Sequence, residues 1–206
     1  MTAKDQTDAR RRIIDATIDA IRTKGTGGAT ARAIAEIGGF NQALIYYYFG
    51  SLNGALVAAI EATSDRRMAR YLTEIERIGT LTELAAIGVE LFDEDVNAGT
   101  ITVISELVSA CLSEPELKPA VAASVEPWVD LAERLIRRLT DDTPVADVLP
   151  ARDVAWALLA LYMGMEQLYN LDGDASRAQR LFAMFARITP LIEPLLAHKG
   201  KQGRKG

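Results

Sequence analysis

The chain has 206 residues, a net charge of −5, and is 49% hydrophobic and 25% charged. That length can bury a substantial core, and the composition is ordinary for a soluble globular protein, which excludes disorder along the whole chain. One cysteine, Cys111, and one histidine, His198, leave no internal disulfide, no Cys/His metal cluster and no Ser-His-Asp triad.

Charge is unevenly spread. Residues 1–50 carry 7 Lys and Arg against 5 Asp and Glu, and residues 51–206 carry 16 against 23. A mildly basic segment on an acidic body suits a small module that meets phosphates, attached to a partner domain that stays off them. Arg10, Arg11 and Arg12 before Ile13 and Ile14 have the outline of a signal peptide, but Asp15 and Asp19 interrupt the apolar stretch. The longest apolar run, over 154–165, is too short to span a bilayer and reads as a buried core helix. The expected setting is therefore cytoplasmic, with no membrane partner.

Taken in chain order, nearly everything reads as helix. Residues 1–6 are expected to be a frayed arm. Ile13, Ile14, Thr17, Ile18 and Ile21 recur at three- and four-residue spacing, predicting a first helix over 7–24 with one buried stripe. Gly25 accepts the left-handed conformation that ends it, and a loop follows to residue 29. Thr30 is a good N-cap for a second helix through Ile34 and Ile37, which Gly38 and Gly39 stop. Asn41 caps a short third helix over 42–48. Gly50 breaks that helix and Ser51 caps the next. Ile34, Ile37, Phe40, Ile45 and Phe49 are predicted to form the small core beneath these helices.

Two short helices joined by a glycine turn behind a longer helix make a helix-turn-helix pattern, which a generic three-helix bundle shares. The third helix separates the two readings. Tyr46, Tyr47, Tyr48 and Phe49 are consecutive, and each helical step turns about 100°, so they cannot all face one core. Gln42 and Tyr46, four apart, with Ala43 and Tyr47 beside them, form an exposed strip. Gln can bond adenine through two hydrogen bonds, and Ala can lie against a thymine methyl. Tyrosine hydroxyls bond phosphates. Arg32 can reach a guanine edge or a phosphate, the start of the second helix favours a phosphate, and Arg10, Arg11 and Arg12 can add backbone contacts.

The stretch from Thr30 through Arg32, Ile34, Ala35, Gly38 and Leu44 to Tyr46, Tyr47, Phe49 and Ser51 closely resembles the DNA-binding signature of the TetR family of transcriptional regulators. The resemblance covers about residues 8–60. It implies base contacts at Arg32, Gln42, Ala43 and Tyr46, and phosphate contacts at Thr30, Ala31, Tyr47, Tyr48 and Ser51. Tyr48 stands where the family often has His, and Leu52 stands where it often has a phosphate-binding Lys.

Beyond residue 50 the pattern predicts a second all-helical domain. Helices are expected over about 52–75, 81–97, 101–112, 128–139, 153–171 and 176–196. Pro115, Pro119 and Pro127 are expected to break up a connector. Val154, Leu158, Leu161, Met165 and Leu168 form one stripe, and Phe182, Phe185, Ile188 and Ile192 another. Trp156 and Tyr162 lie off the first stripe, so that helix is apolar nearly all round and must be buried on two sides. Its second cover is either the domain's own core or a partner subunit. The resemblance favours the partner, because the family joins subunits through its last two helices.

The resemblance also implies a ligand pocket in this domain. Candidate lining residues are Glu106, Cys111, Trp128, Tyr162 and Tyr169, with Phe92, Met163 and Met165 as apolar wall, and a small hydrophobic molecule is the expected ligand. The predicted class is thus all-α. An N-terminal helix-turn-helix DNA-binding domain spans 1–50, a helical ligand-binding and dimerisation domain spans 51–197, and a basic disordered tail spans 198–206. The expected function is a ligand-responsive regulator of transcription, a repressor that binds a near-palindromic operator as a homodimer. It is expected to need no cofactor and no metal and to have no enzymatic activity. The competing readings are a helical sensor whose head does not bind DNA, and an enzyme with no identifiable nucleophile and base.

Overall fold

The computed structural model describes residues 3–141, 143, 146 and 148–196. The tail expected over 198–206 lies outside them. Among the described residues there are α-helices and one 3₁₀ turn, and no strand: α1 (Ala3–Gly28), α2 (Ala31–Gly38), α3 (Ala43–Phe49), α4 (Leu52–Arg77), α5 (Leu81–Ala98), α6 (Thr100–Ala110), the 3₁₀ turn (Pro115–Leu117), α7 (Lys118–Thr140), α8 (Ala151–Asp172) and α9 (Ser176–Leu196). No single described helix is long and apolar enough to cross a membrane.

The elements gather into two compact units. One holds residues 1–67 and 98–125, and the other holds 68–97 and 126–206. The first unit is therefore larger than the 50-residue head expected from the pattern, because the start of α4 and all of α6 pack with α1 to α3. Its core is one apolar cluster: Ile13, Ala16, Ala20 and Ile21 of α1, Ile34 of α2, Ile45 of α3, Ala55, Leu56, Ala59 and Ile60 of α4, and Val103, Leu107 and Ala110 of α6. Short α2 and α3 cannot bury enough surface between themselves, and the longer helices supply the remainder.

Three elements depart from expectation. Residues 3–6, expected as a frayed arm, are the first turn of α1. Ala3, Lys4 and Gln6 are good helix formers, and Asp5 sits where the helix dipole favours an anion. Pro127 lies inside α7 instead of breaking it. Its missing N–H leaves only the Ala123 carbonyl without a helical donor, and Ala123 and Pro127 are both exposed, where water serves that group. Pro119, in the first turn of α7, needs no N–H partner. Ile37, placed in the head core by its spacing, is exposed. The buried residues of α2 are Ala31, Ala33, Ile34 and Ala35, all in its first half, and Ile37 falls in the last turn, beyond the covered part.

In the second unit the buried stripe of α5 is Ala85, Gly88, Phe92 and Asp95. Gly88 leaves room for Phe182 of α9, since a Cβ there would lie 2.5 Å from that ring. Ile75 and Glu76 at the end of α4, and Ile78 just past it, offer carbonyls that Arg138 of α7 collects with its guanidinium at 2.6 to 3.2 Å. That cation at a helix C-terminus satisfies groups the helix itself cannot.

Candidate nucleic-acid interface

The interface is built from caps. Thr30 Oγ1 accepts the Ala33 N–H at 3.2 Å and starts α2. Gly39 adopts φ 64°, ψ 44° and ends it. The turn sits so close to α1 that a Cβ on Gly38 would meet the Phe40 ring and the Ala16 methyl. Arg12 locks it from α1, donating from Nε to Gly38 O at 2.8 Å and from Nη2 to Gly39 O at 2.9 Å. Arg10 lies over the Phe49 ring, 4.7 Å from its centroid. Of the three arginines expected on the DNA backbone, two are thus engaged in holding the head together.

Asn41 Oδ1 accepts the Ala43 N–H at 2.9 Å and starts α3. Ile45 is fully buried and anchors the helix. Around it Gln42, Ala43, Tyr46 and Tyr47 are all exposed, Tyr46 at 52% and Tyr47 at 68%. Tyr48 and Phe49 are half-buried against the core, and the Tyr47 and Tyr48 rings meet edge-on at 4.9 Å. Gly50, at φ 75°, ends α3. Ser51 Oγ accepts the Gly54 N–H at 2.9 Å, which leaves its own proton to donate. The chain then bends by 67° into α4, so α3 stands out as a separate ridge.

Arg32 projects from α2, its side chain 84% exposed, with Nε donating to Glu36 Oε1 at 2.8 Å. Ala31, a phosphate contact by resemblance, is buried. Gln42, Asn41, Arg32 and Glu36 line one notch between α2 and α3. The surface therefore offers an amide, a methyl, phenols and a guanidinium beside the start of α2, a set suited to a base-edge and phosphate surface.

Residues 13–59 match the profile of the bacterial regulatory proteins of the tetR family. Over that segment the chain is similar to the tetR family. No curated protein matches its sequence. Solved structures share the fold over most of the chain. A putative TetR-family transcriptional regulator from Rhodococcus sp. superimposes with a TM-score of 0.71 at 22% identity, covering 88% of this chain and 98% of that one. The multidrug binding protein EbrR, solved with imidazole, gives 0.64 at 24% identity over 88% and 94%. The regulator FadR from Bacillus subtilis, solved with stearoyl-CoA, gives 0.66 at 15% identity over 93% and 99%.

Leu52, which by the resemblance stands where a phosphate-binding Lys is common, packs against the apolar cluster. Leu52→Lys should steepen the dependence of log affinity on log salt by about one counterion per subunit. Titrations across a salt series check this, and an unchanged slope contradicts it.

The five residues expected around a ligand are not brought together within one unit. Glu106 and Cys111 belong to the first. Cys111 is buried in the head cluster. Glu106 accepts the Thr26 N–H at 2.7 Å and the Thr26 hydroxyl at 3.0 Å, tying α6 to the end of α1 where Gly25 turns to φ 68°. Glu106→Ala should lower stability by about 1–3 kcal/mol by orphaning a partly buried N–H, with Glu106→Gln recovering part of it. Urea midpoints measure this, and an Ala variant that melts like wild type refutes it.

Trp128, Tyr162 and Tyr169 belong to the second unit. The Tyr162 and Tyr169 rings stand edge-on to Phe92, 6.0 and 6.1 Å between centroids. Half-buried Trp128 sits on α7. The sequence reading missed Asp95, which is fully buried and takes hydrogen bonds from Tyr71 Oη at 3.1 Å and Tyr162 Oη at 3.0 Å. Burial, reinforced by the Asp95 charge, pushes the Tyr71 phenol above its ordinary pKa, so it stays a donor. An acid three residues after Phe92 on an apolar stripe was the available signal.

Proposed function

We propose that this chain is a transcriptional repressor that binds a near-palindromic operator as a homodimer and is released by a small apolar or aromatic molecule. The observation that carries the DNA part is the α3 ridge. Ile45 is wholly buried, while Gln42, Ala43, Tyr46 and Tyr47 are left outside on one strip with Arg32 nearby. Gln42, Ala43, Tyr46 and Arg32 take the base edges in this reading, and Thr30, Tyr47, Tyr48 and Ser51 take the phosphates. Residues 1–50 act as the reading head, and 51–197 as the sensing and pairing part.

The dimer follows from α8 and α9. Trp156, Leu161, Leu168, Leu171, Met184, Ile188, Leu191 and Ile192 are exposed on the single chain. A surface that apolar, on two adjacent elements in sequence, is an association face. Gly164 has no neighbour within 4 Å of where a Cβ would stand, which leaves room for a partner's helix to approach. A second copy is the cover we assign to it, because paired heads match two half-sites.

Ligand contact is assigned to Trp128, Tyr162 and Tyr169, with Phe92 as apolar wall and the Asp95 tyrosine pair as polar anchors. Neighbours solved with stearoyl-CoA and with malachite green support an apolar or aromatic ligand. The binding energy shifts the population of the dimer away from the arrangement that spans two half-sites. A reporter driven by the promoter upstream of this chain's own coding sequence tests the repressor role. Supplying the protein should lower expression, and a rise contradicts repression.

A further inference from the structure

We propose that Glu36 is a specificity-determining positioning residue, holding Arg32 so that the guanidinium presents its two terminal nitrogens to a guanine edge. The proposal rests on the DNA-reading assignment above. Arg32 and Glu36 are one helical turn apart on α2, both well exposed, and joined at 2.8 Å from Nε to Oε1. They line the same notch as Gln42. The hydrogen bond between them raises the Arg32 pKa and lowers that of Glu36.

The atom that is occupied matters. A guanidinium has one N–H on Nε and four on its terminal nitrogens. With Nε taken, the edge between Nη1 and Nη2 remains, and it matches the O6 and N7 acceptors of guanine in the major groove. A free Arg32 could instead lie along any phosphate, which carries no sequence information. Glu36 also cancels the nearby positive charge and repels the phosphates. It lowers affinity for arbitrary duplex and leaves Arg32 most useful where a guanine is present.

The test compares wild type, Arg32→Ala, Glu36→Ala and Glu36→Gln in selection from a pool of duplexes with a random core, followed by salt-dependent titration. Wild type should select a motif with a G·C pair in each half-site that Arg32→Ala no longer demands. Glu36→Ala should weaken preference at that same pair by about 10-fold, from the loss of an aligned two-bond contact. It should also bind random duplex more tightly, with a salt slope steeper by about one counterion per subunit. Glu36→Gln, which keeps an acceptor without the charge, should recover part of the preference and keep the steeper slope. An unchanged motif and slope in Glu36→Ala overturns the proposal. Loss of preference at a different pair from that lost in Arg32→Ala also overturns it, because Glu36 would then be reading a base itself. A wild type that selects no motif overturns the DNA-reading assignment, and this proposal with it.

Discussion

Replacing Gln42 and Tyr46 together by alanine should lower affinity for the operator by about 10³-fold or more, since each base contact is worth about 1–3 kcal/mol and a dimer loses it twice. The fold should survive, because both side chains are exposed while Ile45, between them in sequence, is fully buried. Exposed substitutions of this kind shift stability by no more than about 0.5 kcal/mol. Fluorescence anisotropy with labelled duplex reads the affinity, and a thermal melt reads the fold. The loss should fall on the specific site far more than on random duplex. An equal loss on both would mean that α3 supplies only phosphate contacts.

Leu168→Glu combined with Ile188→Glu should separate the subunits. Leu168 is about half exposed and Ile188 over a third exposed on the single chain, at 48% and 37%, and a thermal melt of the variant separates loss of pairing from loss of fold. At a symmetric interface each substitution counts twice, and a buried leucine or isoleucine contributes about 1.5–3 kcal/mol. The buried carboxylates then face their own copies, which adds repulsion. Sedimentation velocity should show a dimer for wild type and a monomer for the variant. Operator affinity should fall with it, because one head alone meets one half-site. A variant that remains dimeric would move the interface elsewhere.

The head was largely legible because its signals are local. Thr30, Asn41 and Ser51 are polar residues standing immediately before apolar runs, and each side chain accepts the backbone N–H expected of a cap. The exposed strip followed from four consecutive aromatics that a helix must scatter around its axis. Spacing misled at Ile37, where three residues from Ile34 was taken as the same face on a helix only eight residues long. Pro127 misled because an exposed helix face tolerates one carbonyl left to water, and exposure is set by the packing of distant helices. Asp95, and the role of Glu106 in holding Thr26, depend on partners 24 to 80 residues distant. No local pattern encodes such pairs. The Arg32 and Glu36 spacing was readable as an i, i+4 pair, and its importance emerges only with both side chains placed beside Gln42.

The most direct measurement is a mobility shift of the purified protein on the duplex upstream of its own coding sequence, at low and moderate salt, against a scrambled duplex of equal length. The account predicts retardation of the upstream duplex as a dimer complex that persists at moderate salt, with the scrambled duplex released first. A folded, dimeric protein that retards neither duplex, or both equally at every salt concentration, would contradict a sequence-reading role at this site. The helical sensor without a DNA function would then be the better reading.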